Sequence, residues 1–224
     1  MRVSIVVPVL DEAGVIASVL ESLSQHAAEV IVVDGGSRDR TAELARAAGA
    51  RVIDTPRGRA RQMNAGAAAS TGDVILFLHA DTQLPSSAVE DIRAAMNDPA
   101  CVGGRFDLAL DEDRAVFKMI GFLISLRSRL SKVATGDQGM FVRRTAFEAL
   151  GGFKDIPILE DVELSIRLKA AGKIACLRSR VVTSARRWQK AGVGRTILKM
   201  WLLKLLFLLG VSPFKLKRFY AEVR

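Results

Sequence analysis

Carboxylates at the ends of apolar runs are the residues of this 224-residue chain best placed for chemistry. The run 74–78 stops at Phe77-Leu78-His79-Ala80-Asp81-Thr82. A buried strand that ends on an acid carries the carboxylate to the C-terminal edge of a sheet, where open α/β proteins bind ligands. There it can hold a divalent cation, Mn²⁺ or Mg²⁺, against phosphate oxygens; a solvated turn is the alternative. Val33-Asp34-Gly35-Gly36-Ser37-Arg38-Asp39-Arg40-Thr41 sets a second acid after the run 30–33. Its glycines let a ligand approach the backbone, and Ser37 or Asp39 can cap the next helix. Asp34 can accept a uracil imide N–H or a ribose hydroxyl, or simply belong to a β-α turn. Leu159-Glu160-Asp161-Val162-Glu163-Leu164 puts adjacent acids at a helix start, where the dipole favours anions. An ionised carboxylate beside a sugar hydroxyl can act as general base, although first-turn acids also stabilise helices by themselves.

Weaker signals accompany these. Gly136-Asp137-Gln138-Gly139 is a turn that either presents Asp137 and Gln138 to an acceptor or donor sugar or is purely structural. Arg57, Arg59 and Arg61 follow the third apolar run, set for phosphate contact or for a solvated helix face. The G-x-G-x-x-G spacing of a dinucleotide site is absent.

Such acids need a scaffold, and the spacing predicts one. Strands over 3–9, 30–33, 51–53 and 74–78 alternate with helical patterns at 16–23, 41–48 and 57–69. Short βαβ connections imply a mostly parallel sheet with right-handed crossovers. Beyond Asp81 the rhythm changes: helix at 88–96, strand at 102–110, basic amphipathic helix at 115–130, strand at 140–143 and helix at 164–171. No linker separates the halves, so residues 1–194 read as one domain, 1–100 a nucleotide-binding half and 101–194 an acceptor half.

Two distant cysteines, Cys101 and Cys176, fit buried free thiols in a reducing compartment better than a disulfide. The apolar start is broken by Pro8 and closed by Asp11-Glu12, unlike a signal peptide, so a cytoplasmic location is expected. The net charge of +9 is local: from Arg178 onward 12 Lys/Arg meet one acid, Glu222. Within 195–224, the stretch 197–211 is apolar except for Lys199, Lys204 and Gly210, too short and too charged for a transmembrane helix. It suits an interfacial segment whose lysines snorkel to anionic headgroups, with 115–130 beside it and the protein peripheral on the inner face of the cell membrane. A helix packed on the core or against a second copy is the rival. Leu and Phe interleave the basic residues at core-like density, which excludes nucleic acid as a partner.

Taken together, Pro8-x-x-Asp11-Glu12, the Asp34 turn, Phe77 to Asp81, Gly151-Gly152-Phe153, Glu160-Asp161 and Arg167-Leu168 resemble family 2 glycosyltransferases over roughly residues 3–190. Gly58-Arg59-Ala60-Arg61-Gln62-Met63-Asn64-Ala65-Gly66 and Gly136-Asp137-Gln138-Gly139 resemble a small bacterial branch. The resemblance implies a GT-A fold and an inverting enzyme that moves a sugar from a nucleoside diphosphate, UDP favoured, to a hydroxyl or carboxyl, on a lipid-linked or hydrophobic acceptor. It implies that Pro8, Glu12, Asp34, Gly36, Arg61, Ala80 and Arg187 bind the donor, Asp81 the cation, and Asp161 the acceptor proton. Asp137, Gln138, Glu160 and Trp188 go with the acceptor or donor sugar. His79 stands where the family has the first acid of D-x-D, as a second metal ligand or a hydrogen-bonding group; Ser184 replaces the glutamine of Q-x-x-R-W. A sugar nucleotidyltransferase and a non-catalytic membrane-associated nucleotide-binding protein are the rival functions.

Overall fold

Val and Ile on both faces of strand β1 (Val3–Val9) leave it buried on both, as a strand covered by helices on each side must be. Side chains alternate across a strand. Val3, Ile5, Val7 and Val9 therefore enter one core, and Val6 enters another with Ile31, Val33, Ile75 and Phe77. The computed structural model describes residues 1–26 and 28–220, with 187, 190 and 191 described by backbone alone.

The chain continues through α1 (Ile16–Ser24), β2 (Glu29–Asp34), α2 (Thr41–Ala47), β3 (Arg51–Asp54), α3 (Arg59–Ala69) and β4 (Val74–Phe77). Next come β5 (Thr82–Gln83), α4 (Ala88–Met96), β6 (Cys101–Leu110), α5 (Ala115–Ser131), β7 (Met140–Arg143) and α6 (Arg144–Ala149). The C-terminal part holds α7 (Glu160–Ala171), β8 (Lys173–Thr183), α8 (Arg186–Ala191), α9 (Val193–Leu208) and α10 (Pro213–Leu216).

One sheet runs in the order β3-β2-β1-β4-β7-β6-β8-β5. Parallel ladders join β3, β2, β1 and β4, and join β6 to β8. Strand β7 lies antiparallel between β4 and β6, and short β5 antiparallel to β8. The α/β architecture with a mostly parallel sheet is thus as the sequence implied. From β1 the chain moves outward to β2 and β3, then returns to β4 on the other side of β1. The carboxyl ends of β1 and β4 therefore flank a topological switch point, where ligands of open α/β sheets bind.

Close packing fixes that edge. A Cβ on Gly66 would lie 2.3 Å from Val6 Cγ1, so glycine lets α3 sit directly on β1. Across the molecule, Arg105, 1% exposed, pairs with Asp107, which also takes Arg129 of α5. Arg105 Nη2 donates to Ser125 O at 3.1 Å, so this buried network sets how α5 lies on β6. Helix α9 packs Leu203 against Ile158, Leu159, Val162 and, from α10, Leu216. It begins at Val193 and crosses the expected 194/195 boundary without a break.

Candidate active site

Two loops leave the sheet edge zipped together. Asp11 N–H donates to Ser37 Oγ at 2.9 Å, Arg38 N–H to Asp11 Oδ1 at 2.7 Å and Glu12 N–H to Thr41 Oγ1 at 2.8 Å. Gln62 Nε2, buried in α3, donates to Val9 O and Val33 O at 2.8 and 2.9 Å and ties the ends of β1 and β2. Asn64 makes a reciprocal pair with the backbone of Phe153, at 2.8 and 2.9 Å. Two polar residues of the 58–66 motif are therefore fasteners.

These loops border an open cleft of about 800 Å³, the size of a site for a small organic ligand. Pro8, Glu12, Ala80, Asp81 and Asp161 line it, as do Arg61, His79, Asp137, Glu160 and Trp188. Asp161, at the start of α7, accepts Gly136 N–H on Oδ2 at 2.6 Å and Val162 N–H on Oδ1 at 2.7 Å. A Cβ on Gly136 would lie 2.6 Å from His79 Nε2 and 3.4 Å from Asp161 Oδ2. Only a glycine lets the His79 ring and the Asp161 carboxylate flank the same piece of backbone.

Other expected residues lie elsewhere. Asp34 is 5% exposed and does not line the cleft; its carboxylate accepts the backbone N–H and hydroxyl of Ser37. Its register partner Val9 does reach the cleft, so Asp34 braces the wall from behind. Gly36 is exposed at φ +87 and supplies the left-handed turn after Asp34. Gln138 turns inward, fully buried, donating to Ser128 Oγ at 2.9 Å, and is structural. The side chain of Arg187 lies outside the described residues. Its neighbour Arg186, which the sequence reading passed over, places Nη2 3.8 Å from both Glu12 Oε2 and Asp81 Oδ2.

Charge in the cleft is strongly coupled. Burial pushes the Glu160 carboxyl up to about 7, against the pull of Arg59 at 3.7 Å. For Arg59 burial works against the charge, but Glu160, Tyr220, Asp161 and Asp81 prevail and hold its pKa above the ordinary value. Lys204 of α9 was expected to snorkel outward; instead it lines the cleft, where burial and then Arg127 lower it to about 8. Arg127, Arg186 and Lys204 line the cleft although the sequence reading did not place them at the site, whereas Arg59 stands where phosphate contact was one of its two readings. Only the place of Lys204 next to buried Leu203 on α9 could have signalled its direction.

Among the described residues no three His, Cys, Asp or Glu side chains converge as a metal-binding group. Asp81, with His79 nearby, fits a cation only in company with substrate oxygens, the way Mg²⁺ is held by one or two carboxylates plus phosphates and water.

The family model "Glycosyl transferase family 2" matches residues 4–151, about two thirds of the chain. The chain belongs to glycosyl transferase family 2. Within that family it is 29% identical over 198 residues to the probable glycosyltransferase YdaM of Bacillus subtilis, covering 76% of this chain and 47% of YdaM. It is 35% identical over 116 residues to a TPR repeat-containing protein of Synechococcus elongatus, covering 51% of this chain and 28% of that one. The chain thus spans less than half the length of these curated relatives. Among solved structures, Staphylococcus aureus TarS 1–349 superposes with a TM-score of 0.67 at 17% identity, covering 83% of this chain and 61% of that one. Glucosyl-3-phosphoglycerate synthase of Mycobacterium tuberculosis, in complex with Mn²⁺, UDP and glucosyl-3-phosphoglycerate, gives 0.62 at 21% identity, covering 90% and 78%. Both likenesses establish the GT-A fold of this family 2 chain.

Proposed function

We propose that this chain is an inverting glycosyltransferase that takes a sugar from a nucleoside diphosphate, UDP favoured, and passes it to an acceptor hydroxyl. The observation that carries this reading is the meeting of Asp81 and Asp161 on one cleft at the switch point of the sheet. UDP-sugar complexes of the two solved relatives support the donor class.

In the proposed reaction, Asp161 takes the acceptor proton as the acceptor oxygen bonds to the anomeric carbon. The bond from that carbon to the phosphate oxygen breaks, and the nucleoside diphosphate leaves with the electron pair. The Gly136 and Val162 N–H groups aim the carboxylate of Asp161, a matter of orientation on which proton transfer depends. A divalent cation held between Asp81 and the diphosphate would neutralise the leaving group. Arg186, beside Asp81, adds positive charge on the same side.

The acceptor end of the proposal is a membrane surface. No helix among the described residues is long and apolar enough to span a bilayer. Yet Phe122 and Leu123 on α5, and Trp201, Leu205 and Leu208 on α9, stand more than half exposed. An unpartnered apolar face on the most basic part of the chain suits peripheral contact with anionic lipid, and with it a hydrophobic or lipid-linked acceptor.

The test is incubation with Mn²⁺ and a panel of nucleotide sugars, with and without membrane lipid extract. Release of nucleoside diphosphate is expected. Pyrophosphate exchange would transfer the assignment to a nucleotidyltransferase, and binding without turnover to a non-catalytic nucleotide-binding protein.

A further inference from the structure

Two groups stand apart among the cations of the cleft. Arg61, Arg59 and Arg186 each have a carboxylate within 4 Å: Asp155 at 2.7 Å, Glu160 at 3.7 Å, and Glu12 with Asp81 at 3.8 Å. Arg127 of α5 and Lys204 of α9 line the same cleft, and neither has such a partner among the described residues. The Arg127 Nε is buried and makes no hydrogen bond there, and its Nη2 reaches only Thr135 Oγ1, at 3.5 Å. Burial disfavours both charges; Arg127 further depresses Lys204, while Asp137 and Asp161 act on both from beyond pairing distance. Enclosed cations that repel each other are costly until an anion enters between them.

Position separates this pair from the diphosphate side. Asp161 Oδ2 accepts the Gly136 N–H; Gly136 packs beside His79, two residues from Asp81, and its chain neighbour Thr135 takes Arg127 of α5. The carboxylate of Asp161 therefore lies between the Asp81 side and the α5 side. We propose that Arg127 and Lys204 form a subsite for an anionic group, a phosphate or a carboxylate, carried by the acceptor itself; that the ligand is the acceptor rests on the transferase reading above. Asp137 Oδ1, buried and without a hydrogen-bond partner, faces the same cleft as an acceptor for a hydroxyl of that ligand. The anionic acceptor brings its own counter-charge to the two cations, and its nucleophilic hydroxyl is thereby held beside Asp161.

Calorimetry on the full chain separates the two readings. Decyl phosphate and inorganic phosphate serve as probes, each titrated into protein with and without saturating UDP and Mg²⁺. The subsite binds decyl phosphate while UDP is bound, and Arg127→Gln or Lys204→Gln weakens it about tenfold or more, leaving UDP affinity within about twofold. Lys204→Arg keeps the charge and restores probe binding. In the unmodified protein, decyl phosphate also slows acylation of Lys204 by an amine-reactive ester, read by mass spectrometry, which needs no variant to fold. Tighter binding of decyl phosphate than of inorganic phosphate assigns the group to a lipid headgroup; equal binding assigns it to a small soluble acceptor. Displacement of the probe by UDP, or Gln variants that bind it like the parent, overturns the subsite. A chain that binds decyl phosphate but no UDP loses the donor reading and keeps the subsite.

Discussion

The two walls of the cleft treat charge in opposite ways. On the wall built by the ends of β1, β2 and β4, acids and bases are matched: Arg186 stands between Glu12 and Asp81, and Asp34 is taken up by Ser37. The wall built by α5 and α9 brings Arg127 and Lys204 into the cleft without carboxylate partners among the described residues, while showing solvent its leucines. A matched wall is stable without a ligand and chooses by shape and hydrogen bonding. An unmatched one is completed by what binds. On the reading proposed above, precision belongs to the sheet edge and partner choice to the helical cover.

The sharpest test lies where the two walls meet: Asp161→Asn keeps the side-chain shape and removes the proposed base. Turnover should fall by about 10²–10⁴-fold with UDP affinity unchanged; undiminished nucleoside diphosphate release would remove Asp161 from the chemistry. Gly136→Ala comes next. Its methyl would lie 2.6 Å from His79 Nε2, so kcat should drop by about 10–100-fold through misplaced geometry. A normal kcat in this variant would show that the wall tolerates displacement there.

The cover is tested from its outer side. Trp201→Glu with Leu205→Glu, at positions 67% and 54% exposed, should lower binding to anionic vesicles about tenfold without lowering the melting temperature. Unchanged vesicle sedimentation would remove the membrane from the proposal.

The smallest effect is on pH. Burial raises Glu160 from 4.5 to about 7, so the folded protein keeps this proton where the unfolded chain has released it. The stabilising contribution is complete below about pH 4.5 and is lost as pH rises through about 7. Between pH 5 and pH 8, chemical denaturation should show the parent losing on the order of 2–3 kcal/mol more than Glu160→Gln. Parallel pH profiles would place the Glu160 charge outside the coupled site.

How much of this could be read from the chain follows from the same physics. Strands β1, β2 and β4 were legible because burial on both faces demands unbroken apolar runs, and short connections leave few topologies. The acids at residues 81 and 161 were legible because each follows or opens a well-marked element. Strand β8 was harder: Arg178 and Arg180 interrupt its apolar pattern, and much of it is only partly buried. Strand β5 has two residues, too few for any periodicity. The bond from Asp34 to Ser37 was not legible, because a ligand-facing acid and an acid bonded to a serine three residues on look alike in sequence. Lys204 was misread for a deeper reason. Amphipathic logic assumes a dry interior, and α9 borders a polar cleft on one side while exposing Leu202 and Leu205 on the other.

Leu159 ends the matter on a point of mechanics. It precedes the acids of α7 at φ +64, a left-handed conformation that costs a non-glycine residue about 1–2 kcal/mol. Its side chain is clamped among Leu203 and Leu216 from the C-terminal helices, so the clamp holds a wound spring whose free end is Asp161. On the transferase reading proposed above, loosening the C-terminal helices would free this turn and shift the Asp161 carboxylate, so the tail would set the aim of the base as well as roof the cleft.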